Sequence, residues 1–554
     1  MAHSLPHSHA ATFFSPLLTR KSHKPRRACL AITANAPLPG RKLRAAVIGG
    51  GPAGSSAAEA LAAGGVETFL FERSPSTAKP CGGAIPLCML EEFSIPLHLI
   101  DRHVTRMKII SPSNLTVDFG AKTLKPDEYI PMLRREVLDS FLRSRAQSRG
   151  AHLLHALVTA VDLPSSSSPT APYVVHHTID NSKRTLAVDV IVGADGAHSR
   201  VAKSIKAGGY TCAIAFQERI KLPDDKMEYY KDLAEMYVGN DVSPDFYAWV
   251  FPKCDHVAVG TGTVRAKQDI KLYQRGIRER VRQKIKGGRV MKVEAHPIPE
   301  HPRGVRVSGR VALVGDAAGY VTKCSGEGIY FAAKSGRICG EAIVKASEGG
   351  DTMISESDLK REYLRKWDDE YLMTYRFLDL LQRVFYGSNV GREALVELCG
   401  DEYVQRMTFD SYLYKKLAEG SRFQDVKMVM KTIGSFMRCN IVGREMEAFK
   451  FKFRDGWKIV NKFVAHGVKV SDIAGRTLET AIYSNLASHF SHERPIMLHA
   501  QRVMKVVAIT SVHPKHICSV GWIIGLRFFR CWHCFISLNL VGGGKWLSTG
   551  DGLV

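Results

Sequence analysis

Gly49-x-Gly51-x-x-Gly54 stands between an apolar segment, Arg44-Ala45-Ala46-Val47-Ile48, and an Ala-rich, helix-favouring stretch from Ser55 to Leu61. Val66-Glu67-Thr68-Phe69-Leu70-Phe71 then reads as a second strand, and Glu72 closes it. The unit is a βαβ crossover with glycines at its first turn. The first glycine permits the tight turn, the second lets a pyrophosphate approach the backbone, and the third lets helix and strand pack closely. The helix start offers free N–H groups and partial positive charge to phosphates. Glu72 falls about 20 residues past the fingerprint, where an acid can bind a ribose hydroxyl. Gly49, Gly51, Gly54 and Glu72 are therefore expected to bind a dinucleotide, FAD or NAD, and the glycines alone do not separate the two.

Ala187-Val188-Asp189-Val190-Ile191-Val192-Gly193 reads as one further buried strand. Arg310-Val311-Ala312-Leu313-Val314-Gly315 reads as another, running into a small-residue helix that ends near Lys345. A β-rich region is expected from about 210 to 265, and helical patterns dominate from Ser357 to about Glu447. Ser165-Ser166-Ser167-Ser168 reads as an exposed loop. A chain of 554 residues has room for two or three domains. Its 77 Lys+Arg against 54 Asp+Glu give +23, which favours an anionic partner such as a diphosphate, a dinucleotide or an anionic membrane surface. No basic block interleaved with aromatics is present, so no nucleic-acid partner is expected. The 12 cysteines lack a regular framework, as in a reducing compartment.

Two more motifs settle the cofactor class. Gly193-Ala194-Asp195-Gly196-Ala197-His198-Ser199-Arg200 and Ala312-Leu313-Val314-Gly315-Asp316-Ala317-Ala318-Gly319 resemble the paired signatures of the p-hydroxybenzoate hydroxylase-type flavoproteins. The resemblance implies an α/β fold (α+β overall): a Rossmann-like FAD/NAD(P)-binding domain with an inserted β-rich substrate domain and a helical C-terminal region. It puts Asp195 and Gly196 beside FAD and NADPH, Asp316 on the ribityl chain, and Arg135 close to FAD. A short carboxylate at the C-terminal end of a strand suits a polyol independently of the resemblance; an isolated Gly-Asp would instead be a helix cap. Gly326-Glu327-Gly328-Ile329 opens a helix whose N–H groups can face the N1–C2=O edge of a flavin, which places Gly326 and Gly328 in the cofactor site.

Lys79-Pro80-Cys81-Gly82-Gly83 and Tyr247-Ala248-Trp249-Val250-Phe251-Pro252, with Gly260-Thr261-Gly262 beyond, resemble signatures of the geranylgeranyl reductase family. Ala234-Glu235-Met236-Tyr237-Val238-Gly239 and the stretch from Tyr320 to Gly328 look like its plant plastid members. The resemblance covers roughly residues 44 to 447. It implies an NADPH-dependent flavoprotein that saturates isolated double bonds of geranylgeranyl diphosphate or geranylgeranyl-chlorophyllide, for chlorophyll and tocopherol synthesis. Alternate strand residues share a face, so Tyr247, Trp249 and Phe251 line one side, either as a wall for a long apolar substrate or as ordinary core. Gly260 and Gly262 join them as expected substrate-binding positions. Such an alkene must be protonated as hydride arrives, and Cys81 and Tyr247 are the candidate acids. No metal is required. An aromatic hydroxylase of the same fold and a non-catalytic prenyl-binding carrier are the alternatives; the retained flavin motifs argue against the carrier.

The expected organisation is a transit peptide over 1–43, FAD-binding segments over 44–205 and 301–350, a β-rich substrate domain over 206–300, a helical region over 351–447 and an atypical tail over 448–554. The leader has no acid before Glu59 and no continuous apolar run, as in an organelle transit peptide or a basic disordered tail. A chloroplast location follows, with contact at the thylakoid or envelope surface and with other chlorophyll-synthesis proteins. In the tail, the apolar run Ser519–Val541 is broken by Arg527, Arg530 and His533, which argues against a clean span and leaves an irregular appendage ahead of an interfacial anchor. Cys531-Trp532-His533-Cys534 lacks a second pair at zinc-finger spacing.

Overall fold

The structure of the protein is a computed structural model that describes residues 40–76, 79–120, 122–165, 170–415, 431–435 and 439. The leader up to residue 39, most of the serine run and the tail, with its apolar run and Cys531–Cys534, lie outside the described residues.

Arg44–Ile48 is an inner strand of a six-stranded sheet. Ile48 aligns with Phe71 on one side and Gly193 on the other, both in parallel. The sheet continues through Val311–Leu313 and His152–His155, also in parallel, and Val307–Ser308 adds an antiparallel edge. Strands covered on both faces need continuous apolar runs, and Ala45, Ala46, Val47 and Ile48 are all buried. Helix Pro52–Ala63 lies against helix Ile329–Ala346, which approaches closely enough that a Cβ on Gly340 would stand 2.8 Å from the Ala57 carbonyl oxygen.

The stretch from Ala187 to Gly193 is two strands. Ser182–Val188 belongs to a three-stranded antiparallel sheet and Val190–Gly193 to the parallel one. Asp189 makes the break: its buried carboxylate accepts the Arg44 backbone N–H at 2.9 Å and the Arg41 guanidinium at 2.6 and 2.9 Å. A buried carboxylate has to be paired, and apolar periodicity carries no sign of its partners. The run after Leu313 also differs, with a single turn at Gly315–Ala318 and a loop before the long helix starts at Ile329.

The second large sheet has seven strands, in the order Arg289–Pro299, Cys212–Lys221, His256–Thr263, Ser243–Pro252, Leu233–Gly239, Arg106–Ile110 and Thr116–Phe119. The last two come from within the stretch 44–205, so the β-rich sheet expected over 206–300 is not confined to that stretch. Leu233–Gly239 has a side not taken up by Ser243–Pro252, and Arg106–Ile110 fills it in parallel. Helix Ile270–Arg280 packs on one face, where Ala248 and Val250 point. The other face carries Tyr247 and Trp249 and is covered by the C-terminal helices Lys366–Phe385, Asn389–Leu398 and Glu402–Tyr414. The helical region opens at Glu356 with a capping box between Ser355 and Asp358. Arg392, fully buried, ties it down by donating to the Asn240 and Asn389 side chains at 2.7 Å each and to the Pro244 and Tyr386 carbonyls. Among the described residues no helix is long and apolar enough to cross a membrane.

Candidate active site

The fingerprint forms a groove at the C-terminal edge of the parallel sheet. Gly49 has φ +108°, and the Ala194 carbonyl occupies the place of its missing Cβ, which joins the first motif to the Asp195 motif. The Gly49 carbonyl in turn fills the Cβ place of Gly54. Gly51 is open: the nearest atom to a Cβ there is the Arg135 guanidinium, at 3.7 Å. No side chain caps the helix that starts at Pro52. Arg135 is buried and held in a two-pronged pair by Asp139, at 2.8 Å on both arms. Glu72 accepts the Gly50 N–H at 2.9 Å and the Ser74 N–H at 2.7 Å, which fixes its carboxylate beside the turn.

Asp195 accepts the backbone N–H groups of Arg200 at 2.6 Å and Val201 at 3.3 Å through one oxygen. Its other oxygen is buried and has no hydrogen-bond partner among the described residues, and burial pushes its carboxyl above the usual range. Gly196, at φ +79°, has nothing within 4 Å of its Cβ position. Asp316 pairs with Lys79. Burial opposes its ionisation and the ammonium overcomes it, so the carboxyl lies below the usual range. Gly328, at the head of the long helix, would place a Cβ 3.6 Å from an Asp316 carboxylate oxygen.

Sequence reasoning missed several residues of this groove. Arg143 donates to the Gly50 carbonyl at 3.1 Å from inside helix Arg135–Ser148. His296 lies within electrostatic reach of Lys79, Asp316 and Arg135; burial holds its imidazole down at about 3, and its Nε2 has no partner among the described residues. An arginine in an amphipathic helix and a histidine in an edge strand carry no local signal of such placement. The open face above Gly51, the uncapped helix start and two orphaned polar atoms, on Asp195 and His296, fit a large ligand rich in phosphate and hydroxyl groups. FAD is such a ligand, and the residues present fit it.

The aromatic strand spans the distance from this groove to the Cys-Gly-Gly turn. Tyr247 donates to the Ser325 carbonyl at 2.6 Å, beside Gly326, and burial pushes its phenol upward. Gly326, at φ +67°, would place a Cβ 3.8 Å from the Tyr247 hydroxyl. At the other end the Phe251 ring stands 2.7 Å from the Cβ place of Gly82. Ring centroids step along the face, Tyr247 to Trp249 at 5.9 Å and Trp249 to Phe251 at 6.3 Å, and Phe246 stacks on Tyr247 at 4.3 Å. Gly260 and Gly262 lie under the rings. A Cβ on Gly260 would meet Trp249 at 2.5 Å and one on Gly262 would meet Phe246 at 2.9 Å, so both glycines act by seating aromatics. Cys81 is a free, partly exposed thiol whose sulfur accepts the Gly83 N–H at 3.3 Å.

Fold and groove together define an FAD-binding oxidoreductase, and the FAD binding domain family matches residues 42–349. Among solved structures, a geranylgeranyl bacteriochlorophyll reductase-like protein of Thermoplasma acidophilum shares the fold with TM-score 0.58 at 20% identity, over 69% of this chain and 99% of that one. A flavoprotein/dehydrogenase of Cytophaga hutchinsonii follows with TM-score 0.55 at 15% identity, over 71% and 100%. The sequence relatives are nearer. The chloroplastic geranylgeranyl diphosphate reductase of Nicotiana tabacum is 61% identical over 80% of this chain and 96% of its own length. Its counterpart in Arabidopsis thaliana is 61% identical over 78% and 94%, and the Synechocystis enzyme 60% identical over 72% and 98%. The chain belongs to the geranylgeranyl diphosphate reductase family.

Proposed function

We propose that this chain is an NADPH-dependent flavoprotein that saturates the isolated double bonds of a geranylgeranyl chain to give phytyl. The substrate is geranylgeranyl diphosphate, geranylgeranyl-chlorophyllide or both, and the product serves chlorophyll and tocopherol synthesis in the plastid. The observation that carries this reading is the row of rings from Tyr247 to Phe251, anchored at Ser325 and ending on the Cys81 turn. A face about 3.3 Å per residue long, with few hydrogen-bonding groups, suits a flexible apolar chain.

FAD reduced by NADPH supplies hydride when bound. Glu72 would hold the ribose, the uncapped helix start at Pro52 the pyrophosphate, Asp316 the ribityl hydroxyls, and the loop Gly326–Gly328 the flavin ring. Arg135, Asp195 and Gly196 line the same groove. An isolated trisubstituted alkene has no carbonyl to absorb charge, so a proton must arrive with or before the hydride. Tyr247 keeps its proton because burial disfavours the phenolate. Cys81 offers a second acid at the far end of the face. The rings exclude water, which protects cation-like character at the tertiary carbon. The excess of basic residues suits a peripheral position at an anionic thylakoid or envelope surface, where an insoluble substrate and other chlorophyll-synthesis proteins are at hand.

The test is anaerobic incubation of the FAD-loaded full chain with NADPH and either geranylgeranyl diphosphate or the esterified pigment, followed by mass spectrometry. Stepwise gains of two hydrogens are expected, and the accepted substrate identifies the physiological form. NADPH oxidation that occurs only in air, with oxygen entering an aromatic product and no saturation, would instead make the chain a hydroxylase.

A further inference from the structure

Lys253 directly follows the aromatic strand and is 3% exposed. Its ammonium donates to the Gly82 carbonyl and fills the place that a Cβ on Gly83 would take. Gly83 has φ +75°, so the turn is closed to side chains on two counts. Leu133 donates its N–H to the Gly83 carbonyl at 3.0 Å, and the Phe251 ring abuts Gly82. The turn that carries Cys81 is thus gripped by a backbone strand, a ring and an ammonium. Lys253 is itself fixed: its N–H donates to the His256 carbonyl at 2.8 Å, and its carbonyl accepts Arg102 at 2.7 Å.

The third grip carries a charge. Asp101 and Glu136, carboxylates within electrostatic reach of Lys253, are bound instead to Arg134 at 3.1 Å and Arg219 at 2.9 Å. Among the described residues the ammonium pairs with no carboxylate of its own; burying such a charge is costly, and a neutral donor would satisfy one carbonyl with a smaller desolvation penalty. What the charge adds is strength, since a charge-assisted hydrogen bond is roughly twice as strong as a neutral one.

We propose that Lys253 is a positioning residue for the prenyl reduction, its charged hydrogen bond to the Gly82 carbonyl holding the Cys81 turn against the aromatic strand. The proposal rests on the reductase reading above. Both signature motifs then act as one unit: the strand that lines the apolar chain also fixes the turn that faces the reacting alkene. Cys81, Asp101, Glu136 and Arg219 surround the ammonium, and Arg134, Arg135 and His256 line the same pocket. Burial draws Lys253 down to about 8. The charge is therefore present at neutral pH and lost as pH rises through that value.

The test compares the FAD-loaded full chain with its Lys253→Met variant. Two quantities are measured: backbone hydrogen exchange in the peptide spanning residues 80–86, and kcat and KM for geranylgeranyl diphosphate across pH. Exchange at least tenfold faster in that peptide, kcat at least tenfold lower, KM within threefold, and a kcat profile without the wild-type fall near pH 8 are expected. Exchange and kcat both within twofold of wild type would overturn the proposal, as would a lower kcat with unchanged exchange. If the variant fails to retain FAD, the wild type decides: a kcat that stays flat from pH 7 to 10 overturns it. If the wild type reduces no prenyl substrate, the reductase reading fails, while the exchange comparison still decides the role of Lys253 in the turn.

Discussion

In the parallel sheet, the glycine turn at the base of the groove is shaped through the backbone, with the side-chain pairs Arg135–Asp139 and Lys79–Asp316 set around it. Gly49 meets the Ala194 carbonyl, Gly54 meets the Gly49 carbonyl, and Glu72 and Asp195 accept main-chain N–H groups. In the seven-stranded sheet the contacts run through side chains: four rings in a row, two glycines beneath them, a lysine on the Cys-Gly-Gly turn, and helices tied on by Arg392 and Arg406. A backbone site tolerates almost no substitution at its contact points but recognises only the common parts of a cofactor. A ring-built wall can be reshaped residue by residue, which suits the half of the molecule that meets the particular substrate.

The sharpest way to break this contrast is at Gly54. A valine there would drive its side chain into the Gly49 carbonyl, where no rotamer change gives relief. Gly54→Val is expected to cost about 3 kcal/mol or more and to yield protein without flavin absorbance at 450 nm. Trp249→Ala removes a ring that is 6% exposed at the centre of the wall. The loss should be about 3 kcal/mol in chemical denaturation. FAD should stay bound while KM for the prenyl substrate rises about tenfold; a variant that loses flavin instead would erase the distinction between the halves.

Acid should separate them as well. Hydrogen bonding from Arg406 holds Glu128 down at about 2, and Tyr414 adds a further donor at 2.8 Å. The folded value lies below the ordinary ~4.3, so the stabilisation is complete above that value and is lost as pH falls through about 2. Hydrogen exchange in helix Glu402–Tyr414 should accelerate in that window. In Arg406→Met the pH dependence attributable to this pair should be absent. The smallest effect belongs to Ser199→Ala, which deletes the acceptor of the Ala202 N–H at 2.8 Å next to Asp195. About 1 kcal/mol is expected from thermal denaturation.

The same contrast governs what the amino-acid sequence made legible. Fingerprint glycines, the two Asp motifs and the aromatic alternation are local patterns: the glycines stand at the first strand-to-helix turn, and Tyr247, Trp249 and Phe251 follow one another along one face. The break at Asp189, the pairing of Arg106–Ile110 with Leu233–Gly239, and the seating of Trp249 on Gly260 depend on partners distant in the chain. Lys253 was hidden for a different reason. A lysine just past a strand reads as a solvated end, and only the folded turn reveals that its ammonium is inside. Lys79 opens the Cys-Gly-Gly motif, yet only the folded chain sets its ammonium against Asp316.

The interleaving of the two sheets also governs how the molecule can be assembled. Arg44–Ile48 lies between Glu67–Glu72, available at once, and Val190–Gly193, which follows 142 residues after Ile48 begins to wait. A chain emerging N-terminus first at about 5–20 residues per second leaves that edge unpaired for on the order of ten seconds. Arg106–Ile110 waits comparably for Leu233–Gly239. Neither sheet can close as a unit before much of the other has been made, so folding should be slow, dominated by distant pairings and dependent on protection of the open edges.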